Sequence, residues 1–199
     1  MTDTCRILIT GSRYWPAPEI IQAAFARLQE THPGGQLVLV HGKCDPRAPL
    51  TRERVRWGKA LAFTPEEQIA GLGADWLADR IATGLGWEIE AYPADWKQYG
   101  KAAGGIRNGE MIATGPFAAC LAFAAAAESN QGTIDCAAKA SVAGIATLFY
   151  CDMCTGPSLH PCHSHSLDSV ITAWGAASRR SRRKAAQQEV LDFGLTPPG

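Results

Sequence analysis

The sequence predicts an α/β protein: a Rossmann-like parallel sheet of about five strands with helices on both faces, followed by a C-terminal Cys/His-rich and helical extension. Two observations carry this. Short continuous apolar runs such as "ILIT" and "LVLV" alternate with segments of helical periodicity up to about residue 150, and unbroken apolar runs suit strands covered on both faces. The runs also end in small or polar clusters ("TGSR", "HGKC", "YPADW", "AAAAESNQGT"), at the strand ends where open parallel sheets bind ligands. Composition agrees: 199 residues, 46% hydrophobic, can bury a sizeable core.

The elements follow in order. "RILIT" is the first strand, and "PEIIQAAFARLQE" the first helix, with Pro18 near its start and Ile21, Ala24, Phe25 and Leu28 at helical spacing. "QLVLVHG" is the second strand. A long connection, 43–72, exceeds an ordinary loop; within it "TPEEQ" reads as a helix start capped by Thr64. "ADWLADRIATGLG" is a helix with Trp76, Leu77, Ile81 and Leu85 on its apolar face, and "WEIEAYP" is a third, half-exposed strand. "ADWKQYGKAAGG" reads as a loop before the helix "IRNGEMIAT". The buried strand "FAACLAFA", the helix "GTIDCAAKASVAG" and the strand "IATLFY" complete the series.

Charge and targeting signals narrow the function classes. The formal net charge is zero and the pI near 6.9, so nucleic acid or an anionic membrane could be held only by a local patch. No apolar stretch is long enough to span a bilayer, and the N-terminus lacks a signal-type pattern, which places the expected location in the cytoplasm. Seven cysteines, four of them scattered (Cys5, Cys44, Cys120, Cys136), do not form a disulfide framework.

Three stretches carry chemistry. At the exit of the first strand, Gly11 permits close backbone approach while Ser12 and Arg13 offer donors to an anion. In "NQGTIDCAAKA", Gly132 and Thr133 open a helix whose free amides favour negative charge. In "IRNGEMI", Arg107 could pair with phosphate, while the Glu110 carboxylate could accept from a ribose hydroxyl with Asn108 beside it. Each is also compatible with an ordinary turn, cap or polar helix face.

Taken in order, "ILITGSRYW", "LVHG", "GADWLAD", "YPADWKQYGKAAG", "IRNGEM" and "QGTIDCA" resemble the YspA-like branch of the SLOG superfamily. These are Rossmann-like nucleotide-binding domains related to the DprA/Smf proteins and to LOG-type phosphoribohydrolases. The resemblance spans roughly residues 5–150 and implies a nucleotide or nucleotide-derived ligand held by a sensor or sequestering protein. It implies that Gly11, Ser12 and Arg13 line the first phosphate-facing loop, with Gly42 ending the second strand. Gly73, Ala74 and Asp75 would open the next helix, Gly132 and Thr133 would form a second phosphate cradle, and Arg107, Asn108 and Glu110 would face the sugar or base. LOG-type enzymes carry a "PGGxGTxxE" signature whose glutamate acts in N-glycosidic cleavage. Here Cys136 stands three residues after Thr133 and the nearest acid, Asp135, comes one position early, a rotation of about 100° on a helix. That catalytic role does not carry over directly; Glu110 and Asp135 are the candidates for an alternative N-glycosidase.

The extension, 151–199, gathers Cys151, Cys154, His160, Cys162, His163 and His165. The Cys-x₂-Cys spacing resembles a zinc knuckle, and the candidate structural zinc ligands are Cys151, Cys154, His160, Cys162 and His165. A basic run, Arg179, Arg180, Arg182, Arg183 and Lys184, continues a helical segment around Trp174. Subunit contact in a homo-oligomer is the favoured reading of this helix. Contact with nucleic acid is the less favoured one, since most charge runs are solvated faces.

Overall fold

The computed structural model describes residues 4–44, 73–125 and 130–153. Five strands form one sheet: β1 (Thr4–Gly11), β2 (Gln36–His41), β3 (Glu88–Ala91), β4 (Ala119–Ala124) and β5 (Thr147–Cys151). Every pairing is parallel and the order is β3-β2-β1-β4-β5. The helices are α1 (Pro18–Thr31), α2 (Gly73–Gly84), α3 (Trp96–Tyr99), α4 (Ala103–Ala113) and α5 (Gln131–Val142), with a 3₁₀ turn at Gly100–Ala102.

Alternation along the strands sorts the core into two layers, because successive side chains point to opposite faces. Ile7, Ile9, Leu39, Leu121 and Phe123 pack with Ile21, Phe25 and Leu28 of α1 and Ala74 and Leu77 of α2. On the other face Leu8, Val38, Val40 and Cys120 meet Met111 of α4 and Cys136 and Ala140 of α5. The sheet is therefore wound with helices on both sides, as the continuous apolar runs predict. Aromatic contacts tighten the first layer: Phe25 stacks on Trp87 at 4.5 Å, and Trp15 meets Phe123 edge-on at 5.3 Å. Buried Trp15 keeps its indole N–H satisfied by donating to the Ala17 carbonyl at 2.8 Å.

Three sequence expectations need correction. The stretch expected to be a loop after β3 folds into α3, because Asp95 caps it, accepting from the amides of Lys97 (3.1 Å) and Gln98 (2.9 Å). The helix expected from Ile106 begins at Ala103, so Arg107 and Asn108 lie in its second turn. Leu85, expected on the apolar face of its helix, is exposed beyond the end of α2; Ala78 and Ala82 fill that face instead. The helix start at Thr64 lies outside the described residues.

Strand order fixes where a ligand can reach the backbone. From β1 the chain moves outward to β2 and β3, then returns past β1 to β4 and β5. The connections leaving β1 and β4 thus go to opposite faces, and their divergence opens a crevice at the carboxyl ends of these two strands.

Candidate functional site

A cleft of about 410 Å³ occupies that crevice. It is built from the ends inward. β1 delivers Thr10, Gly11, Ser12 and Arg13; the start of α5 delivers Gln131, Gly132 and Thr133; α4 contributes Gly104, Gly105, Arg107 and Asn108. Cys44, Asp75, Trp96, Lys101, Asn130 and Asp135 complete its lining.

The β1 turn is pinned from both sides. The Ser12 amide donates to the Phe123 carbonyl (2.8 Å), and the Ser12 carbonyl accepts from the Ala74 amide (2.9 Å). The Ser12 hydroxyl oxygen also accepts from the Tyr14 amide (3.0 Å), closing a tight local turn. Two glycines make this possible. A Cβ on Gly11 would collide with Ala74 Cβ and come within 3.0 Å of Phe123. Gly73 has φ +71°, and a Cβ there would lie 2.6 Å from the Arg13 carbonyl oxygen. Arg13 is left exposed over the cleft, its guanidinium 5.7 Å from the centre of the Trp96 ring.

The opposite wall depends on Asn130. It takes a left-handed conformation (φ 48°), and its side chain accepts from the Ala125 amide (3.1 Å) while donating to the Ala125 carbonyl (2.7 Å). This holds β4 and the start of α5 together. The first α5 amides have no partner within the helix, so they and the helix dipole present positive character to the cleft.

Arg107 forms the cationic floor. Its Nη1 donates to the Tyr92 carbonyl at 3.2 Å, while its buried Nε has no partner among the described residues. Asn108, 4% exposed, donates from one amide nitrogen to Asp135 Oδ2 (2.9 Å) and to the Gly132 carbonyl (3.3 Å). Lys139 also reaches Asp135 Oδ2 (2.6 Å) and the Gly105 carbonyl (2.8 Å). Asp135 is thereby held by α4 and by its own helix at once.

Asp75 is buried and accepts from the Cys44 amide at 3.2 Å. Burial pushes its carboxyl above the usual range, against the opposing pull of His41, Arg107 and Arg13. Burial likewise pushes the Cys44 thiol up, helped by the neighbouring Asp75 and opposed by Arg13 and Arg107. Behind them His41 accepts from the Lys43 amide through Nδ1 (3.2 Å) and turns Nε2 toward Asp79 at 3.1 Å.

Of the residues singled out by sequence, Gly11, Ser12, Arg13, Asp75, Arg107, Asn108, Gly132, Thr133 and Asp135 meet at this cleft. Gly42, Gly73 and Ala74 lie just behind it as packing positions, Gly42 against the Arg107 guanidinium. Glu110 is exposed and outside the lining. Cys136, three residues after Thr133, is fully buried against the sheet, with its thiol pushed up to about 12 by burial. The adjacent Asp135 is the one that reaches the cleft. Of the zinc candidates, Cys151 ends β5, where its Sγ accepts from the Met153 amide at 3.4 Å. Cys154, His160, Cys162 and His165 lie outside the described residues, as does the basic run. Among the described residues no group of three or more metal-ligating side chains forms, and no helix is long and apolar enough to cross a membrane.

Sequence reasoning missed Trp96, Lys101, Cys44 and Asn130. The paired glycines of "KAAGG" and the Asp-Trp step of "PADW" were the available signals.

Fold and site together define a Rossmann-like α/β protein with a polar cleft, lined by three basic and two acidic side chains, where its strand order reverses. The chain aligns with the Gene 61 protein of Mycobacterium phage D29 over 152 residues at 34% identity, covering 74% of this chain and 97% of that protein, and belongs to the same family. No protein-family model and no solved structure matches it.

Proposed function

We propose that this chain binds a nucleotide or nucleotide-derived small molecule in the switch-point cleft, as a sensor or sequestering protein of SLOG type. The observation that carries the reading is the convergence of Arg13, Arg107 and Lys101 with the open amides of α5 across one cleft. Guanidinium groups and helix-start amides are both suited to phosphate, and here they come from both halves of the sheet. Asn108 and the two carboxylates supply partners for sugar hydroxyls.

A thermal-shift panel of AMP, ADP, ATP, NAD, ADP-ribose and cyclic dinucleotides, repeated on Arg13→Ala, tests it. A ligand at 100 times its dissociation constant adds about 2.7 kcal/mol, several degrees in a domain of this size. At least one ligand should raise the Tm of the native protein and fail to raise that of Arg13→Ala. No shift across the panel overturns the proposal.

One observation favours N-glycosidic cleavage as a second reading. Asp75, desolvated, and Asp135, held by Lys139, place two carboxyl groups of unlike environment at one cleft. Release of free base from a nucleoside monophosphate, lost in Asp135→Asn, would establish it. Binding without release leaves the sensor reading in place.

A further inference from the structure

The cleft is lined almost wholly by polar side chains and glycines, and Trp96 is the one aromatic side chain among the described residues that line it. Its position is not explained by folding. The indole is 50% exposed, and α3 contributes no buried residue. The Asp95 cap holds that helix without help from the ring. Two neighbours shape the space around it. Gly104 of α4 lies beside the ring, where a Cβ would sit 3.4 Å from the indole Cη2, and the next position, Gly105, faces Lys139 and Asp135 across the cleft. The Arg13 guanidinium lies over the same ring at 5.7 Å, within cation–π range.

A sugar phosphate could lay only the C–H face of its ring on such a surface and gains less from it than a flat base does. Its hydroxyls and phosphate oxygens would be met by Arg13, Arg107, Lys101 and the α5 amides alone. A planar heteroaromatic ring gains by stacking on an indole, and this one is half exposed at the cleft. We propose that Trp96 is the base-stacking residue of the cleft and that its ligand keeps an intact nucleobase, stacked there with its phosphate toward Arg13 and Gly132–Thr133. This rests on the nucleotide-binding reading above and narrows it. The specificity it assigns is for nucleoside phosphates over ribose phosphates, with little choice among bases, since every base has a π face.

The test is calorimetric titration of the full chain with AMP, GMP, CMP, UMP and ribose 5-phosphate, for the native protein, Trp96→Phe and Trp96→Ala. The native protein should bind at least one nucleoside monophosphate well above ribose 5-phosphate. Trp96→Ala should weaken that nucleotide about 5- to 150-fold and leave ribose 5-phosphate unchanged, while Trp96→Phe keeps most of the affinity. The chain has six tryptophans, so the fluorescence difference between native protein and Trp96→Phe isolates this indole, and it should be quenched by nucleotide. Equal affinity for ribose 5-phosphate, or equal loss of both ligands in Trp96→Ala, overturns the inference and leaves the cleft as a phosphate site. Binding of none of the five ligands also overturns the inference, and the broader reading then stands or falls with the thermal-shift panel.

Discussion

At the scale of single residues, the cleft depends on positions that cannot carry a side chain and on one carboxyl group held away from water. Gly42 is the sharpest case of the first. A Cβ there would overlap the Arg107 guanidinium, and the neighbour that must give way is the end of a long side chain. Gly42→Ala should therefore cost little stability, with Tm within a few degrees of native, yet lower phosphate-ligand affinity as much as Arg107→Ala does, about tenfold or more. Paired melts and titrations of the two variants check this; an affinity left intact would show that Arg107 does not act from its present place. Gly11 differs, because its collision would be with Ala74 and the rigid Phe123, so Gly11→Ala should cost about 1–3 kcal/mol of stability. Asp75 is the carboxyl group. Its folded-state pKa is raised by burial, so it binds a proton more tightly folded than unfolded. Its stabilising contribution is full below the unfolded value of 3.8 and is lost as pH rises through the folded one. Within that window the slope is at most about 1.36 kcal/mol per pH unit. Asp75→Asn keeps an acceptor for the Cys44 amide but cannot ionise. Its stability relative to native should rise through the window and level off above it. Denaturant melts from pH 4 to 8 on both proteins give the difference curve, and a flat difference would mean that Arg13, Arg107 and His41 already compensate the buried charge.

At the scale of elements, the strands and the long helices were legible in the sequence because burial imposes a period on them. "ILIT", "LVLV" and "ACLAFA" are apolar without interruption since both faces of the sheet are covered, and α1 repeats its apolar residues at helical spacing. The cleft glycines Gly11 and Gly132 were legible as well, because each sits at the end of a strand or the start of a helix. The short α3 was not, for a four-residue helix with no buried face leaves no periodic trace, and its cap Asp95 reads equally as a turn residue. The sequence placed "YPADW" at a ligand-facing strand end, but without α3 it could not show that Trp96, Lys101 and the glycines that follow line one wall of the cleft. Asn130 was missed for another reason: its role is a left-handed backbone and two hydrogen bonds to Ala125, neither of which a spacing pattern reports. This joint between β4 and α5 makes a prediction about an element's placement. Asn130→Gly keeps access to the backbone conformation but leaves the Ala125 amide and carbonyl without those partners, at a cost of about 1–3 kcal/mol. With the start of α5 less firmly held, phosphate-ligand affinity should fall alongside stability. Asn130→Gly melting like the native protein would refute the joint.

At the scale of the molecule, the cleft is shared between the two directions in which the sheet was built. Ser12 and Arg13 leave β1 toward α1, Asn130 to Thr133 follow β4 into α5, and Arg107 reaches in from α4, beside β2 and β3 through Tyr92. At the mouth the β1 turn is tied to its neighbours by the β1–β4 seam and the Ser12–Phe123 and Ser12–Ala74 hydrogen bonds, while Asn108 and Lys139 tie α4 to the start of α5. A ligand spanning the cleft would add a further tie, and it would stabilise both halves together because binding to the folded state alone shifts every opening that disrupts the site. Hydrogen exchange measured with and without the nucleotide found by thermal shift should then show protection at 12–15, 104–108 and 131–134 together. The opposite edge of the sheet supplies the control. There a second cavity of about 480 Å³, lined by His32, Gly34, Gly35, Leu37, Leu85 and Gly86 among others, lies at the amino ends of the strands, away from the switch point. Its loops open locally without disturbing the ligand, so 32–36 and 85–87 should exchange at nearly unchanged rates. Protection confined to 12–15, or to 131–134, would mean that the ligand touches one half of the sheet only. Protection at 32–36 and 85–87 instead would move the binding site to the far edge and take the switch-point assignment with it.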